Sequence, residues 1–435
     1  MAWGSVSSFP RAILHIDGDS FFASCEIAKN PTLRGKAVIT GKERGIVSAC
    51  TYEAKARGIK RGMILSEVRR ICPDAVILPS DYETYSLFSE RMYAVVRRFT
   101  PAVEEYSIDE CFADLTGLRR SLRMSYPQIA AKIKEQLDAE LGMTFSIGVS
   151  ATKTLAKVGS KWKKPSGLTI IPLRDAPTFL RELEVGAIWG IGRQTTALLN
   201  TYGIKSAGEF ARKDEAWIRA HLSKPYVETW QELNGTVANE LNLTGRDTYQ
   251  SISKTKTFTP PSNDIGFVHA QLSKNIENAC IKARRWKLST QLVFFFLKTQ
   301  DFRYKGYEVP LPFPTANPAD ILREIRPYYL KVYKKGVLYR ATGITLINLM
   351  EEGTTQLDIF GKVDKSEAVR KVFDSTDELA KKYGKHVLFL GSSFKAMKFS
   401  SHVGDRGDSA DRTTMLFRGE SKRRRLAIPM LGEVN

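Results

Sequence analysis

Two short acidic stretches contain the side chains best suited to chemistry, the carboxylates Asp17, Asp109 and Glu110. The apolar runs beside them, residues 12–16 and residues 102–108, predict two β-strands that bring these carboxylates to strand ends. Carboxylates at adjacent strand ends repel each other unless a cation lies between them. A pair of Mg²⁺ ions held in this way is the usual means of transferring a phosphoryl or nucleotidyl group.

The same residues also have an ordinary structural interpretation. An isolated Asp-Glu pair is usually a surface feature, and Asp-Gly-Asp after a strand is a common turn signal. Both sites, however, lie in otherwise hydrophobic segments, where an unpaired charge is costly. A metal pair also needs a backbone oxygen, and Gly18 allows the chain to approach closely. We therefore predict that Asp17, Asp109 and Glu110 are catalytic residues that bind Mg²⁺.

The composition indicates a large folded protein with a polyanionic partner. The chain has 435 residues, enough for roughly two to four domains. Its net charge of +19, from 66 Lys and Arg against 47 Asp and Glu, suits DNA, RNA or an anionic membrane. No apolar run approaches the ~20 residues that cross a bilayer, and residues 1–11 contain no signal-peptide core. We therefore expect a soluble, cytoplasmic protein without a membrane partner.

The cysteines predict buried, reduced thiols. There are five, widely spread, and no two have the C-x₂-C spacing of a metal site. The five histidines are equally scattered. This pattern argues against both a structural zinc site and a disulfide framework.

The first 173 residues alternate strand and helix signals, which is typical of an α+β or α/β layer domain. Helical spacing of apolar residues is clearest in residues 82–99 and 129–141. The predicted strands are residues 12–16, 37–40, 75–78, 103–106, 111–115, 144–149 and 168–171.

Three further regions follow. Residues 174–243 show helical patterns throughout, and the turn-rich residues 247–263 mark another boundary. Residues 246–349 return to mixed strands and helices, with 17 Lys and Arg against 7 Asp and Glu, a net charge of +10. More than half of the excess positive charge thus lies in under a quarter of the chain. Residues 350–435 form a tail of short motifs with a basic run at residues 422–425.

Several aromatic and basic residues near the acidic stretches could contact a nucleotide. Phe21 and Phe22 follow the first acidic turn, and we favour core packing for Phe21. Phe22 could instead lie under a sugar ring and exclude a 2′-hydroxyl. Tyr52 and Lys55 lie one turn apart on a short basic helix and could hold a triphosphate, although a solvated face is the usual interpretation. Lys164 precedes a Pro-Ser-Gly turn that would fix its direction, with a solvated loop as the alternative.

Gly190, Gly192 and Arg193 belong to a Gly-Ile-Gly-Arg turn before a predicted helix. Such a turn directs its amides outward and binds a DNA phosphate without reading the sequence. Gly-x-Gly alone is a weak signal. Here an apolar pair precedes it, and a helix and a Tyr-Gly-Ile turn follow, which predicts a helix-hairpin-helix.

Residues 356–360 read Gln-Leu-Asp-Ile-Phe within the tail. A five-residue match is usually chance, but an apolar cluster in a polar linker suits a peptide that docks into a partner's groove. The predicted anchors are Gln356, Leu357, Ile359 and Phe360.

Taken together, these motifs resemble those of the Y-family DNA polymerases, which copy damaged templates. The likeness covers roughly residues 10–350, with at least four motifs in the same order, and it implies an α+β multidomain, right-hand polymerase fold. The implied domains are a palm (residues 10–28 and 76–173), small fingers (29–75), a helical thumb with the helix-hairpin-helix (174–243), an α/β little finger (246–349) and a C-terminal tail with a clamp-binding motif (350–435).

The likeness also implies roles for individual residues. Two Mg²⁺ ions would be bound by Asp17, Asp109, Glu110 and the Gly18 carbonyl. The nucleotide contacts would be Phe22 as the steric gate, Phe21 beside it, and Tyr52, Lys55 and Lys164 on the triphosphate. Two departures weaken nucleotide binding. Lys55 replaces the usual Arg, which loses bidentate phosphate contact, and Ala49 stands where a Thr or Ser often donates to a phosphate.

Within the family, residues 104–110, 152–157 and 185–193 are most similar to UmuC, the catalytic subunit of bacterial polymerase V. The position of residues 356–360, well before the C-terminus, is also similar to UmuC. In the polymerase IV branch this sliding-clamp motif tends to lie at the very end. The likeness thus implies a sliding clamp as partner and raises a UmuD-like accessory subunit as another.

The predicted reaction is template-directed addition of a dNMP to a primer 3′-hydroxyl, with primer–template DNA and dNTPs as substrates. We predict low fidelity, a role in SOS mutagenesis and DNA repair, and no proofreading, because no carboxylate set for an exonuclease is left over. The alternatives are an inactive homologue that serves as a sliding-clamp adaptor, a nucleotidyl cyclase and a pure DNA-binding module. The retained carboxylates argue against the first and third, and the basic unit with its hairpin motif argues against the second.

Overall fold

The computed structural model of the protein describes residues 9–244, 249–351, 362–383 and 386–398. These residues form two compact units that divide between residues 245 and 246. Both units combine β-sheets with helices, so the predicted α+β multidomain fold is confirmed. Within the described ranges, every helix is too short or too polar to span a membrane.

The strands of the first unit form two sheets. They are β1 (Ile13–Gly18), β2 (Val38–Thr40), β3 (Ala49–Cys50), β4 (Val76–Leu78), β5 (Val103–Ser107), β6 (Glu110–Asp114), β7 (Phe145–Ser150) and β8 (Leu168–Ile170). The central sheet has the order β5-β6-β1-β7-β8, and a small sheet has the order β3-β2-β4. β1 pairs antiparallel with β6 and β7 and is buried along its whole length. A carboxylate on β1 therefore lies inside the protein.

Seven helices alternate with these strands. They are α1 (Phe21–Lys29), α2 (Tyr52–Ala56), α3 (Leu65–Ile71), α4 (Tyr82–Arg97), α5 (Leu118–Leu122), α6 (Tyr126–Leu141) and α7 (Lys153–Trp162). One face of the central sheet packs on α1, α4 and α6 through a core that includes Leu14, Phe88 and Ile133. Helix α7 packs against β1, β7 and β8. The short helices α2 and α3 share a separate core with the small sheet.

Helix α7 also joins the sheet to a helical region. That region contains α8 (Ala176–Glu182), α9 (Arg193–Thr201), α10 (Ala207–Ala211), α11 (Glu215–His221) and α12 (Lys224–Leu233). Leu155 of α7 shares a core with Phe210 of α10. Buried Glu232 of α12 accepts hydrogen bonds from the backbone amide and the hydroxyl of Thr154, at 2.9 Å and 2.6 Å. A buried carboxylate satisfied in this way fixes the helical region on α7.

The second unit is a four-stranded antiparallel sheet covered by helices. Its elements are β9 (Ile252–Ser262), α13 (Ile265–Arg285), β10 (Leu288–Thr299), β11 (Tyr304–Thr315), α14 (Pro318–Val332), β12 (Tyr339–Glu351), α15 (Lys362–Tyr383) and α16 (Phe394–Lys398). The strand order is β11-β10-β12-β9. Alternate residues of β10, such as Phe295, join Ile276 of α13 and Ile325 of α14 in the core. Arg284 of α13 pairs with Asp377 of α15 at 2.7 Å.

The predicted local elements are largely confirmed. All seven predicted strands are present, with ends shifted by one or two residues, and the five cysteines are buried and free. Asp109 and Glu110 lie at strand ends, as predicted. Residues 108–109 form the turn between β5 and β6, and Glu110 begins β6.

Gly148 sets the distance between β7 and α7. A β-carbon there would lie 2.0 Å from the carbonyl oxygen of Ala156 and 2.3 Å from the amide nitrogen of Ser160. Because both are backbone atoms, we expect Gly148→Ala to lower the free energy of unfolding by about 3 kcal/mol or more. Chemical denaturation of the purified protein measures this. Gly391 has open space around it, so Gly391→Ala should change stability by no more than about 0.5 kcal/mol. Equal effects of the two substitutions would contradict this account.

Candidate active site

Asp17 and Glu110 lie directly opposite each other on neighbouring antiparallel strands. The register pairs Asp17 of β1 with Glu110 of β6. The amide of Gly18 donates to the carbonyl of Asp109 at 2.9 Å, and the Asp109 side chain accepts a hydrogen bond from the Ser107 hydroxyl at 2.7 Å. The sheet therefore brings Asp17 close to Asp109 and Glu110, a neighbouring pair that lies more than 90 residues further along the sequence.

The negative charge at this site is crowded and partly shielded from water. Asp17 is only 8% exposed. Burial, together with the charges of Glu110 and Asp109, raises the pKa of Asp17 to about 6 against the opposing charge of Lys164. A carboxylate in this setting is stabilised as an anion only by nearby positive charge.

Two lysines supply positive charge to the site. The ammonium nitrogen of Lys164 lies 2.5 Å from Asp17 Oδ1, and that of Lys157 lies 2.7 Å from Glu110 Oε2. Lys164 is a predicted site residue, but Lys157 is not. The signal that could have identified Lys157 is its place on α7, where Lys153 and Lys157 lie one turn apart with Leu155, Ala156 and Val158 beside them. Buried lysines at helical spacing require anionic partners.

Asp19 holds the loop that carries Lys164. Its carboxylate accepts hydrogen bonds from the hydroxyl of Ser146 at 2.8 Å and from that of Thr144 at 3.0 Å. It also accepts one from the backbone amide of Ser166 at 2.7 Å. These bonds satisfy a side chain that is 2% exposed. Sequence reasoning missed this structural role of the second Asp in the Asp-Gly-Asp turn.

Tyr52 and Lys55 of α2 lie beside the same acidic turn. The Tyr52 hydroxyl is 3.5 Å from Asp19 Oδ1. The ammonium of Lys55 is 2.8 Å from the Ser20 hydroxyl and 3.9 Å from the centre of the Tyr52 ring. Helix α2 thus places a phenol and a cation next to the turn that also positions Lys164, so that all three groups can contact one polyanionic ligand.

The two phenylalanines after the acidic turn have different environments. Phe21 is 3% exposed and belongs to the core of the central sheet. Phe22 is half-buried, and its ring stacks on Tyr85 with centroids 4.5 Å apart while it meets the edge of Tyr82. Phe21 therefore packs in the interior, and Phe22 is the ring that is partly accessible and held in a fixed orientation.

The oxygen donors at the site suit a hard divalent cation. Carboxylates and backbone carbonyls are typical ligands of Mg²⁺; Asp17 and Glu110 offer carboxylates from opposed positions of the sheet, and Asp109 lies in the adjoining turn. Across the ranges that the structure describes, no three or more carboxylate, imidazole or thiol side chains are gathered closely enough to hold a metal ion. Lys157 and Lys164 neutralise two of the carboxylates. The donors fit Mg²⁺ chemically, and binding it would require these ammonium groups to leave.

The Gly-Ile-Gly turn precedes α9, as predicted. Gly190 has a φ of 89°, in the left-handed region that favours glycine. Ile191 is buried and anchors the turn, while Gly192 and Arg193 are exposed at the start of α9. The turn therefore presents backbone at a helix N-terminus. The predicted clamp motif, residues 356–360, lies outside the described residues.

Two family models match the chain. The impB/mucB/samB family matches residues 16–161, and the C-terminal domain of the same family matches residues 249–359. Among curated relatives, DNA polymerase IV 1 of Bacillus subtilis is 32% identical over 393 residues, covering 88% of this chain and 94% of the relative. DNA polymerase IV of Methanoculleus marisnigri is 33% identical over 360 residues, covering 80% of this chain and 96% of the relative.

Solved structures show the same fold. A Y-family DNA polymerase chimera matches with a TM-score of 0.67 at 22% identity, over 78% of this chain and 100% of its own. An insertion ternary complex of Dbh DNA polymerase matches with a TM-score of 0.50 at 23% identity, over the same shares.

Proposed function

From the premise that the chain belongs to the impB/mucB/samB family of Y-family DNA polymerases, we infer that it is a DNA-directed DNA polymerase of the translesion type. The observation that carries this inference is the register that sets Asp17 opposite Glu110, with Asp109 in the adjoining turn. Template-directed polymerisation needs anionic ligands at such a point and a basic surface for DNA, and the chain has both.

We propose a right-hand arrangement with the domain limits expected from the sequence. The central sheet would be the palm, and the small sheet with α2 and α3 would be the fingers. The helical region, residues 174–243, would be the thumb, and the second unit would be the little finger. What supports this is that the central sheet, the small sheet and the second unit each have a separate core, while the helical region shares a core with α7.

The residues at the site would have separate roles in nucleotidyl transfer. Two Mg²⁺ ions, held by Asp17, Asp109, Glu110 and the Gly18 carbonyl, would lower the pKa of the primer 3′-hydroxyl and neutralise the leaving phosphates. Lys164 would transfer its hydrogen bond from Asp17 to the triphosphate of a bound dNTP, because a phosphate competes with a carboxylate for an ammonium group.

The remaining nucleotide contacts would orient the substrate. Tyr52 and Lys55 would hold the outer phosphates, with Lys55 as a point charge in place of a bidentate Arg. Phe22 would lie under the deoxyribose, supported from behind by its stack on Tyr85. Phe21 would support Phe22 from within the core and would not touch the nucleotide.

DNA would be gripped through its backbone. Gly190, Gly192 and Arg193 would contact one strand without reading its sequence, and the net charge of +10 in residues 246–349 would attract the duplex. Small fingers and a loose grip predict low fidelity, with no proofreading site. Binding to DNA, followed by fluorescence anisotropy, should weaken roughly 10²-fold or more between about 50 and 200 mM salt. An affinity that does not change with salt would contradict the backbone grip.

The branch of the family to which the chain belongs determines whether a UmuD-like subunit is expected as a partner. The motifs similar to UmuC point to one branch, whereas the curated relatives are DNA polymerases IV and point to another. We follow the relatives, because their likeness covers most of both chains, and propose that the protein works without a UmuD-like subunit. A sliding clamp bound through residues 356–360, a role in SOS mutagenesis and a place in the cytoplasm near the nucleoid remain parts of the proposal.

Primer extension tests the proposal. The full-length protein, Mg²⁺ and dNTPs are incubated with a primer on an intact template and on one with an abasic site. Extension on both templates by the protein alone is the expected result. Extension only after a UmuD-like subunit is added would favour the UmuC branch. No extension with the clamp and that subunit present would favour the adaptor.

A further inference from the structure

Lys157 is buried beside Glu110 and takes no part in the proposed nucleotidyl transfer. Its side chain is 6% exposed, and its ammonium lies 2.7 Å from a carboxylate oxygen of Glu110. The same ammonium lies 4.6 Å from the centre of the Tyr106 ring and 5.0 Å from that of Trp189. A buried lysine in contact with one carboxylate and two ring faces is a counter-cation with a defined position.

A second pair on the same helix provides a comparison. Lys153, one turn earlier on α7, bonds Glu104 at 2.6 Å, with the Phe112 ring 4.8 Å away. Glu104 also accepts a hydrogen bond from the backbone amide of Asn242 at 3.0 Å. Glu104 is therefore tied into the fold by a further partner and lies away from the turn that holds Asp109. Of the two lysines, only Lys157 neutralises a carboxylate of the candidate active site.

The structure also has room for Lys157 to move. A cavity of about 300 Å³ has Lys157, Lys161, Trp162 and Trp189 in its wall. An ammonium that leaves Glu110 can therefore remain beside the indole of Trp189 and does not have to enter packed core. A side chain with two available positions, one on the carboxylate and one in a cavity, can yield its place to another cation.

We propose that Lys157 is a positioning residue for Glu110. Its ammonium holds the Glu110 carboxylate in place while no divalent cation is bound, and it moves into the cavity when such a cation takes that carboxylate. This inference rests on the proposed function, because it requires Glu110 to be a ligand. Under this proposal, Lys157 of α7 controls the position of one of the three carboxylates. The same side chain contacts Trp189, which lies beside the Gly-Ile-Gly turn.

Calorimetric titration of the full-length protein with Mn²⁺ tests the proposal without reference to activity. We expect Lys157→Met to bind Mn²⁺ about tenfold more tightly than the wild type, since the ion no longer has to break a buried ion pair. Lys153→Met is the matched control and should change the Mn²⁺ affinity by less than about twofold, because its carboxylate lies outside the site. Unchanged or weaker Mn²⁺ binding by Lys157→Met would overturn the proposal.

A second measurement applies if Lys157→Met does not fold. Titration of the wild type with Mg²⁺ should change tryptophan emission, because the cation next to the indole of Trp189 moves. The change should be absent in Trp189→Phe. Emission of Trp189 that does not respond to Mg²⁺ would also overturn the proposal. An Asp17→Ala, Asp109→Ala variant distinguishes a failure of the Lys157 proposal from a failure of the proposed metal-binding site. If it binds Mn²⁺ as tightly as the wild type, the carboxylate site itself has been wrongly assigned.

Discussion

Protein in which both Asp109 and Glu110 are replaced by alanine is expected to extend primers at least roughly 10³-fold more slowly than the wild type. The two substitutions remove the two carboxylates that the central sheet and its adjoining turn bring beside Asp17. Without them the site has no means of holding the cations that stabilise the charge of the transferred phosphoryl group. Single-turnover primer extension with excess enzyme measures the loss in the chemical step.

Two controls make this result specific to the site. Glu105→Ala removes an exposed carboxylate of β5 that pairs with Arg97 of α4, and it should leave the rate within about twofold because surface pairs contribute little. Affinity of the double variant for primer–template DNA should also be retained. A double variant that extends primers at the rate of the Glu105→Ala protein would remove these carboxylates from the mechanism.

Replacement of Phe22 by alanine is expected to admit ribonucleotides. The Phe22 ring is held by its stack on Tyr85 and the edge of Tyr82, so it cannot turn aside to accommodate a 2′-hydroxyl. Removing it should reduce the preference for dCTP over CTP by roughly 10²-fold or more, because rejection by a rigid clash disappears with the clashing group. Steady-state incorporation opposite a template guanine, with each nucleotide in turn, measures the preference.

The conservative variant Phe22→Tyr serves as the control for packing. It keeps a ring of the same width over Tyr85 and should still reject CTP. If Phe22→Ala rejects CTP as strongly as the wild type, another side chain excludes the 2′-hydroxyl. Phe21 would not be that side chain, since it is buried in the core of the sheet.

Helix α7 connects the parts of the first unit that these experiments test. It packs closely on β7 at Gly148, bonds Glu232 of the helical region through Thr154, and carries Lys157 to Glu110. A shift of this helix would therefore change both the packing of the helical region and the charge at the carboxylates. For this reason Gly148→Ala should affect metal binding as well as stability.

The sequence alone determined the local elements and the principal carboxylates. Strand and helix periodicity depends on neighbours within a few residues, so seven of the eight strands of the first unit could be predicted to within two residues, and only the two-residue β3 was missed. Asp17, Asp109 and Glu110 could be predicted as a group because a charge inside an apolar segment needs a partner wherever the segment folds. The Gly-Ile-Gly turn was predictable for the same local reason, since its glycine at positive φ is required by the turn itself.

Only the tertiary structure decided which side chains meet. The register of β1 against β6 sets Asp17 opposite Glu110, and it depends on pairing between strands far apart in the chain. The structural role of Asp19 depends on β7 and the Ser166 loop, and the ion pair of Lys157 depends on how α7 packs against the sheet. Local periodicity places a residue on a face of its own element. The partner that the face meets is fixed by packing among distant segments, so it cannot be deduced from residue spacing along one of them.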